Sequence, residues 1–122
     1  MVNSERVRVV VVDDQRDMAD NLVELLQLEG FEARASYDGR EAIDLVASFS
    51  PECILFDIAM PGMDGLELAK RLRQAHSDDI ILLAMTGNVE DARVADTFEV
   101  VDHYFSKPFE LSALLKVLRP SR

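Results

Sequence analysis

The sequence predicts one α/β domain, a parallel sheet covered by helices on both faces. Three observations carry this. Short apolar runs rich in β-branched and aromatic residues alternate with stretches whose apolar residues recur at helical spacing. Those runs are too continuous for a sheet with one wet face and read as strands buried on both sides. The chain's 122 residues, 48% hydrophobic and 30% charged, suffice for one core, which argues against both a second domain and disorder.

Each element follows in order. Val7 to Val12, broken by Arg8, is the first strand. Met18, Leu22, Leu25 and Leu26 mark the first helix, which Gly30 closes as a glycine just past its end. Phe31 to Ser36 alternates weakly, like an outer strand, and Asp38-Gly39 turns the chain. Ala42, Ile43, Val46 and Ala47 form a second helix, stopped by Ser50-Pro51. Cys53 to Phe56 is a short buried strand that ends at Asp57. Pro61-Gly62 and Asp64-Gly65 lead into a third helix carrying Leu66, Ala69 and Leu72, with Asp64 as its cap. Ile80 to Met85 is the most apolar strand, broken by Gly87-Asn88. Val89, Ala92, Ala95 and Phe98 suggest a fourth helix, and Tyr104 to Ser106 a last strand that stops at Lys107-Pro108. Leu111, Leu114, Leu115 and Leu118 complete the chain as a fifth helix.

Charge and composition exclude several functions. Thirteen Lys and Arg face 23 Asp and Glu, a net charge of −10. Residues 1–61 hold 5 basic and 13 acidic residues, and residues 62–122 hold 8 and 10. Neither half offers the basic footprint that nucleic acid demands. The acidic half should attract cations. No apolar run is long enough to span a bilayer, and without a basic leader followed by an apolar stretch no secretion signal is expected. Cys53 is the lone cysteine, so it makes no internal disulfide and reads as a small buried hydrophobe. The expected setting is the reduced cytoplasm.

In doubly wound sheets, ligands bind beyond the carboxyl ends of the strands. There the first strand presents Asp13-Asp14, the third Asp57, the fourth Thr86 and the fifth Lys107. Clustered carboxylates repel one another, and a hard divalent cation with oxygen ligands relieves that repulsion. A carboxylate beside such an ion can attack phosphorus and form an aspartyl-phosphate. Lys107 and the Thr86 hydroxyl can meet the charge on the transferring group. This pattern contains the parts for phosphoryl transfer to Asp57.

Val11-Val12-Asp13-Asp14, Asp57 through Gly65, Met85-Thr86-Gly87 and Lys107-Pro108-Phe109 together resemble the receiver domain of two-component response regulators, from about Arg8 to Leu118. The resemblance implies a flavodoxin-like three-layer fold of five parallel strands ordered 2-1-3-4-5 with five helices, one receiver domain over residues 1–122. It implies that Asp57 is the phosphoacceptor, Asp14 a direct Mg²⁺ ligand, Asp13 a ligand acting mainly through water, and Ala59 a ligand through its backbone carbonyl, with Mn²⁺ as a substitute ion. Lys107 resembles the phosphoryl-contacting lysine, Thr86 and Tyr104 the switch pair, and Gly87 the small residue beside that threonine. The Lys107-Pro108 bond is often cis in the family. The implied partners are a histidine kinase or histidine phosphotransfer protein and a downstream effector, with no direct nucleic-acid or membrane contact and a phosphorylation-dependent dimer among the assemblies. Output is expected on the face of the fourth helix, fifth strand and fifth helix. Such a domain is regulatory, not an enzyme, although it assists its own phosphorylation and dephosphorylation.

Two departures stand out. Where the family commonly places a glycine after the fourth helix, the sequence reads Val100-Val101-Asp102-His103-Tyr104, so that helix should end differently or run longer. The last helix also lacks the arginine-rich repeat of the winged-helix DNA-binding subfamily. His76 and His103 read as surface residues, and Met60 and Met63 as packing. Among rival functions, a haloacid-dehalogenase-type phosphatase needs a second carboxylate where Ala59 stands, and a nucleotide- or flavin-binding domain would need a phosphate-cradling glycine motif that is absent. A receiver-like module that is never phosphorylated is the remaining alternative. The chain through Arg122 fits a stand-alone regulator or the receiver of a longer regulator or hybrid kinase.

Overall fold

A computed structural model describes residues 6–88 and 90–119. The β-branched run forms β1 (Arg8–Val12), followed by α1 (Arg16–Leu28), β2 (Glu32–Ser36), α2 (Gly39–Phe49), β3 (Cys53–Asp57), α3 (Gly65–His76), β4 (Ile81–Thr86), α4 (Arg93–Thr97), β5 (His103–Ser106) and α5 (Leu111–Leu118). A single 3-10 turn, Ser77–Asp79, links α3 to β4. The five strands are all parallel and ordered β2-β1-β3-β4-β5. This is the order the resemblance implies.

Strand alternation builds two cores. Val10, Val12, Ile54, Phe56, Leu82 and Ala84 point to one face, where α2, α3 and α4 pack. Val9, Val11, Leu55, Leu83 and Met85 point to the other, against α1 and α5. Burying each of these larger side chains contributes about 1.5–3 kcal/mol. Because β1, β3 and β4 are covered on both sides, their strands needed no polar alternation, which is why they read as continuous apolar runs.

The helix boundaries have local causes. Gly30 stands at φ +97° just after α1, a left-handed position that disfavours other residues. The Asp38 and Asp64 carboxylates accept from the Glu41 and Glu67 N–H groups at 2.7 and 2.9 Å, capping α2 and α3. Ser50 ends α2 in the left-handed region at φ 53°.

Three helix faces differ from the sequence reading. On α1 the buried residues are Ala19 and Leu26, whereas Met18 and Leu25 are 47% and 44% exposed and line a recess of about 480 Å³ between α1 and α5. On α3, Leu68 is buried and Leu66 is not fully so. On α4 the buried pair is Val94 and Thr97, while Ala92, Ala95 and Phe98 are exposed; Val89 lies outside the described residues. The apolar stripe does not mark the buried face of α4, because Thr97 is buried with its hydroxyl bonded to the Arg93 carbonyl at 2.7 Å, a signal no apolar pattern carries. The helix is also shorter than expected. It ends in turns in which the Val100 and Val101 N–H groups both donate to the Thr97 carbonyl, and no left-handed residue is used there.

Candidate functional site

Register alone brings two carboxylates level. Val12 pairs with Phe56, so the next residues, Asp13 and Asp57, leave adjacent strands side by side. Both continue the phase of Val11 and Leu55 and face the α1–α5 side. Lys107 continues the phase of Phe105 beyond β5, and its N–H donates to the Thr86 carbonyl at 2.7 Å. The Lys107 ammonium thereby lies 3.2 Å from Asp13 Oδ2 and 3.2 Å from Asp57 Oδ2. Asp14 stands beside them, exposed, and one oxygen from each of Asp13, Asp14 and Asp57 falls within 4.8 Å of the others.

The two inner carboxylates are held alike. Asp13 Oδ1 accepts from the Gln15 N–H at 3.0 Å, and Asp57 Oδ1 accepts from the Ala59 N–H at 3.2 Å. Each thus has one oxygen fixed by its own backbone turn and one facing Lys107. Both are buried, with 2% of Asp13 and 8% of Asp57 exposed. Burial pushes the Asp57 carboxyl above its usual range, and Asp13 adds to this; Lys107 and the Ala59 N–H oppose it without cancelling it. Burial works against the Lys107 ammonium, but the facing Asp57 and Asp13 charges outweigh it and raise the lysine.

Three carboxylates against one ammonium leave an anionic, oxygen-lined cluster with an exposed member at its mouth. This donor set suits a hard divalent cation. The fit is chemical as well as geometric, because a cation would supply the charge that one lysine lacks.

The backbone beneath the cluster is tight. A Cβ on Gly65 would lie 2.5 Å from the Asp57 carbonyl oxygen and 2.7 Å from Ile58 Cα, so only glycine lets α3 start so close to β3. The Gly65 N–H donates to the Ile58 carbonyl at 2.9 Å. In the sequence Asp64-Gly65 reads as a turn, and the close approach leaves no further trace there.

Thr86 and Tyr104 share the other face of the sheet. Thr86 is fully buried and in phase with Leu82 and Ala84, and Tyr104 pairs in register with Ala84. The Thr86 hydroxyl is engaged with its own turn, accepting from the Asn88 N–H at 3.1 Å and donating to the Asn88 carbonyl at 3.2 Å. The Tyr104 ring meets Phe98 edge-on at 5.0 Å, and its hydroxyl is buried without a hydrogen-bond partner among the described residues. The Lys107-Pro108 peptide is cis. Met60 is buried and Met63 packs on Gly39. Cys53 begins β3 at the opposite edge of the sheet, where burial, then Glu52 and Asp102, push its thiol up to about 12. His103 begins β5 at that same edge, and His76 closes α3. Arg93, which no sequence motif singled out, donates to Asp64 at 3.3 Å.

The family model for the response regulator receiver domain matches residues 9–119. The response regulator MprA of Mycolicibacterium vanbaalenii is 39% identical over 113 residues, covering 93% of this chain and 49% of that protein. This chain therefore spans about half the length of the curated relatives it matches. Among solved structures, the chemotaxis protein CheY4 of Vibrio cholerae superposes with a TM-score of 0.84 at 28% identity, over 93% of this chain and 97% of that one. The response regulator TrrA of Thermotoga maritima, solved in complex with Mg²⁺ and BeF, gives a TM-score of 0.81 at 31% identity, over 92% and 98% of the two chains. No helix among the described residues is long and apolar enough to cross a membrane.

Proposed function

The chain belongs to the response regulator receiver domain family, and from that premise we propose that it is a phosphoacceptor switch charged at Asp57. The donor is a histidine kinase or a histidine phosphotransfer protein, and the readout is a downstream effector. Three clustered strand-end carboxylates, two of them sharing one lysine, carry this reading. A TrrA structure holding Mg²⁺ and BeF supports it by likeness.

In the transfer, one Asp57 carboxylate oxygen forms a bond to phosphorus while the donor's leaving group departs with its electron pair. The Ala59 N–H fixes the carboxylate plane before reaction, so little reorientation is needed. Lys107, already 3.2 Å from Asp57, is placed to follow the charge onto the phosphoryl oxygens. Asp13, Asp14, Asp57 and the Ala59 carbonyl would hold Mg²⁺ or Mn²⁺, which supplies charge neutralisation to those oxygens. Thr86 and Tyr104 lie toward α4 and form the route by which a charge change at Asp57 reaches the face of α4, β5 and α5. The domain is regulatory, and the described residues act as one unit.

Acetyl phosphate with Mg²⁺ should give a base-labile phosphoryl adduct by intact mass, and Asp57→Asn should remove it. Equal modification of the variant contradicts the assignment. An unmodified wild type with bound Mg²⁺ would favour a module that acts without phosphorylation.

A further inference from the structure

The short helix α4 is attached to the acceptor loop by a contact that bypasses Thr86 and Tyr104. A helix of five residues without a side-chain cap cannot hold itself in place. Its position depends on tertiary ties, and two of these are the buried side chains Val94 and Thr97. The third is Arg93. Its Nε donates to Asp91 Oδ1 at 2.9 Å and its Nη2 pairs with Asp91 Oδ2, which fixes the guanidinium plane. The remaining nitrogen, Nη1, reaches Asp64 Oδ2 at 3.3 Å, across 29 residues of sequence.

Asp64 is itself tied to the acceptor. Its other oxygen caps α3 through the Glu67 N–H, and the next residue, Gly65, is pressed against the Asp57 carbonyl and bonded to Ile58. A continuous line of contacts therefore runs from the Asp57 backbone through Gly65 and Asp64 to Arg93 in α4. Because Asp91 holds the fork in place, aiming Nη1 at Asp64 costs little further side-chain entropy.

Resting on the phosphoacceptor reading, we propose that Arg93 is a positioning residue that carries displacement of residues 58–64 into α4 when Asp57 is charged, in parallel with Thr86 and Tyr104. The relay uses one ion pair and a glycine contact, so it can be cut without touching the acidic cluster.

The test is an amide chemical-shift map of the whole chain with Mg²⁺ and beryllofluoride, in wild type, Arg93→Gln and Asp64→Asn. Asparagine keeps the α3 cap while removing the charge that faces Arg93. In both variants, shifts at Asp13, Asp57, Thr86 and Tyr104 should persist, while those across Arg93–Thr97 fall at least twofold. Thermal melts confirm that each variant is folded, and Asp64→Asn stands in if Arg93→Gln is not. A full α4 response in both variants, or none in wild type despite shifts at Asp57, overturns the relay alone. No beryllofluoride response at Asp57 in wild type overturns the phosphoacceptor reading and the relay with it.

Discussion

The two edges of the sheet carry charges from the same strands and use them differently. At the amino edge the charges named next are met by partners near the surface. Arg8 meets Glu32 at 3.3 Å, its N–H takes Glu52 at 3.1 Å, and Arg8 and Arg34 lie over the Phe49 ring. Arg73 meets Asp102 at 3.0 Å, and that carboxylate also accepts from the Leu82 N–H at 2.9 Å. At the carboxyl edge, the buried Asp13 and Asp57 share Lys107, and the exposed Asp14 stands beside them. Exposed one-to-one pairs order loops and add little stability. A buried, unbalanced cluster keeps electrostatic energy in reserve for a ligand or a reaction.

Removing the shared cation should have the largest effect. Lys107→Met leaves two buried carboxylates facing each other, and stability should fall by about 3 kcal/mol in urea melts. Single-turnover phosphorylation by acetyl phosphate should slow about 100-fold. A loss no larger than that of an amino-edge variant would erase the distinction between the edges.

Adding a divalent cation comes next. With Mg²⁺ at about 100 times its dissociation constant, the folded state should gain roughly 2.7 kcal/mol, if the unfolded chain does not bind the ion. Thermal melts read this, and Asp14→Ala should abolish the gain.

The raised Asp57 pKa sets a smaller, pH-dependent effect. The unfolded carboxyl ionises first, so this group's contribution to stability falls as pH rises from about 3.9 through its higher folded value. Without a divalent cation, Asp57→Asn should therefore be more stable than wild type by about 1 kcal/mol at pH 7, and the gap should close toward pH 3. Lys107, also raised, follows the same sign in an alkaline window: its contribution is present below about 10.4 and is lost as pH climbs through the folded value. A gap that widens on acidification would contradict burial as the main cause at Asp57.

The smallest effect belongs to the amino edge. Arg8→Gln should cost about 0.5 kcal/mol and leave both Mg²⁺ stabilisation and phosphorylation unchanged. Any loss of phosphorylation there would show the edges to be coupled.

The acidic cluster was legible because its residues stand where apolar strands stop. Parallel pairing with short crossovers leaves few ways to arrange such ends, so Asp13, Asp57 and Lys107 converge once the strands are placed. The helix faces were less legible. Leucine and methionine on α1 signalled burial, yet the small Ala19 fits against the sheet while Met18 and Leu25 flank a recess. On α4, alanines carry almost no directional signal, and a buried threonine carries the wrong one. Long-range contacts between polar residues, such as Arg93 with Asp64, follow no period and leave no pattern to read.

The most direct test of the contrast between edges is the site of modification. The protein is treated with acetyl phosphate and Mg²⁺, the acyl phosphate is reduced by borohydride to a homoserine residue, and the peptides are mapped by mass. The chain has 23 Asp and Glu residues, and conversion is predicted at Asp57 and to be lost when Mg²⁺ is chelated. Conversion spread over exposed carboxylates such as Asp14, or conversion that survives chelation, would contradict the account.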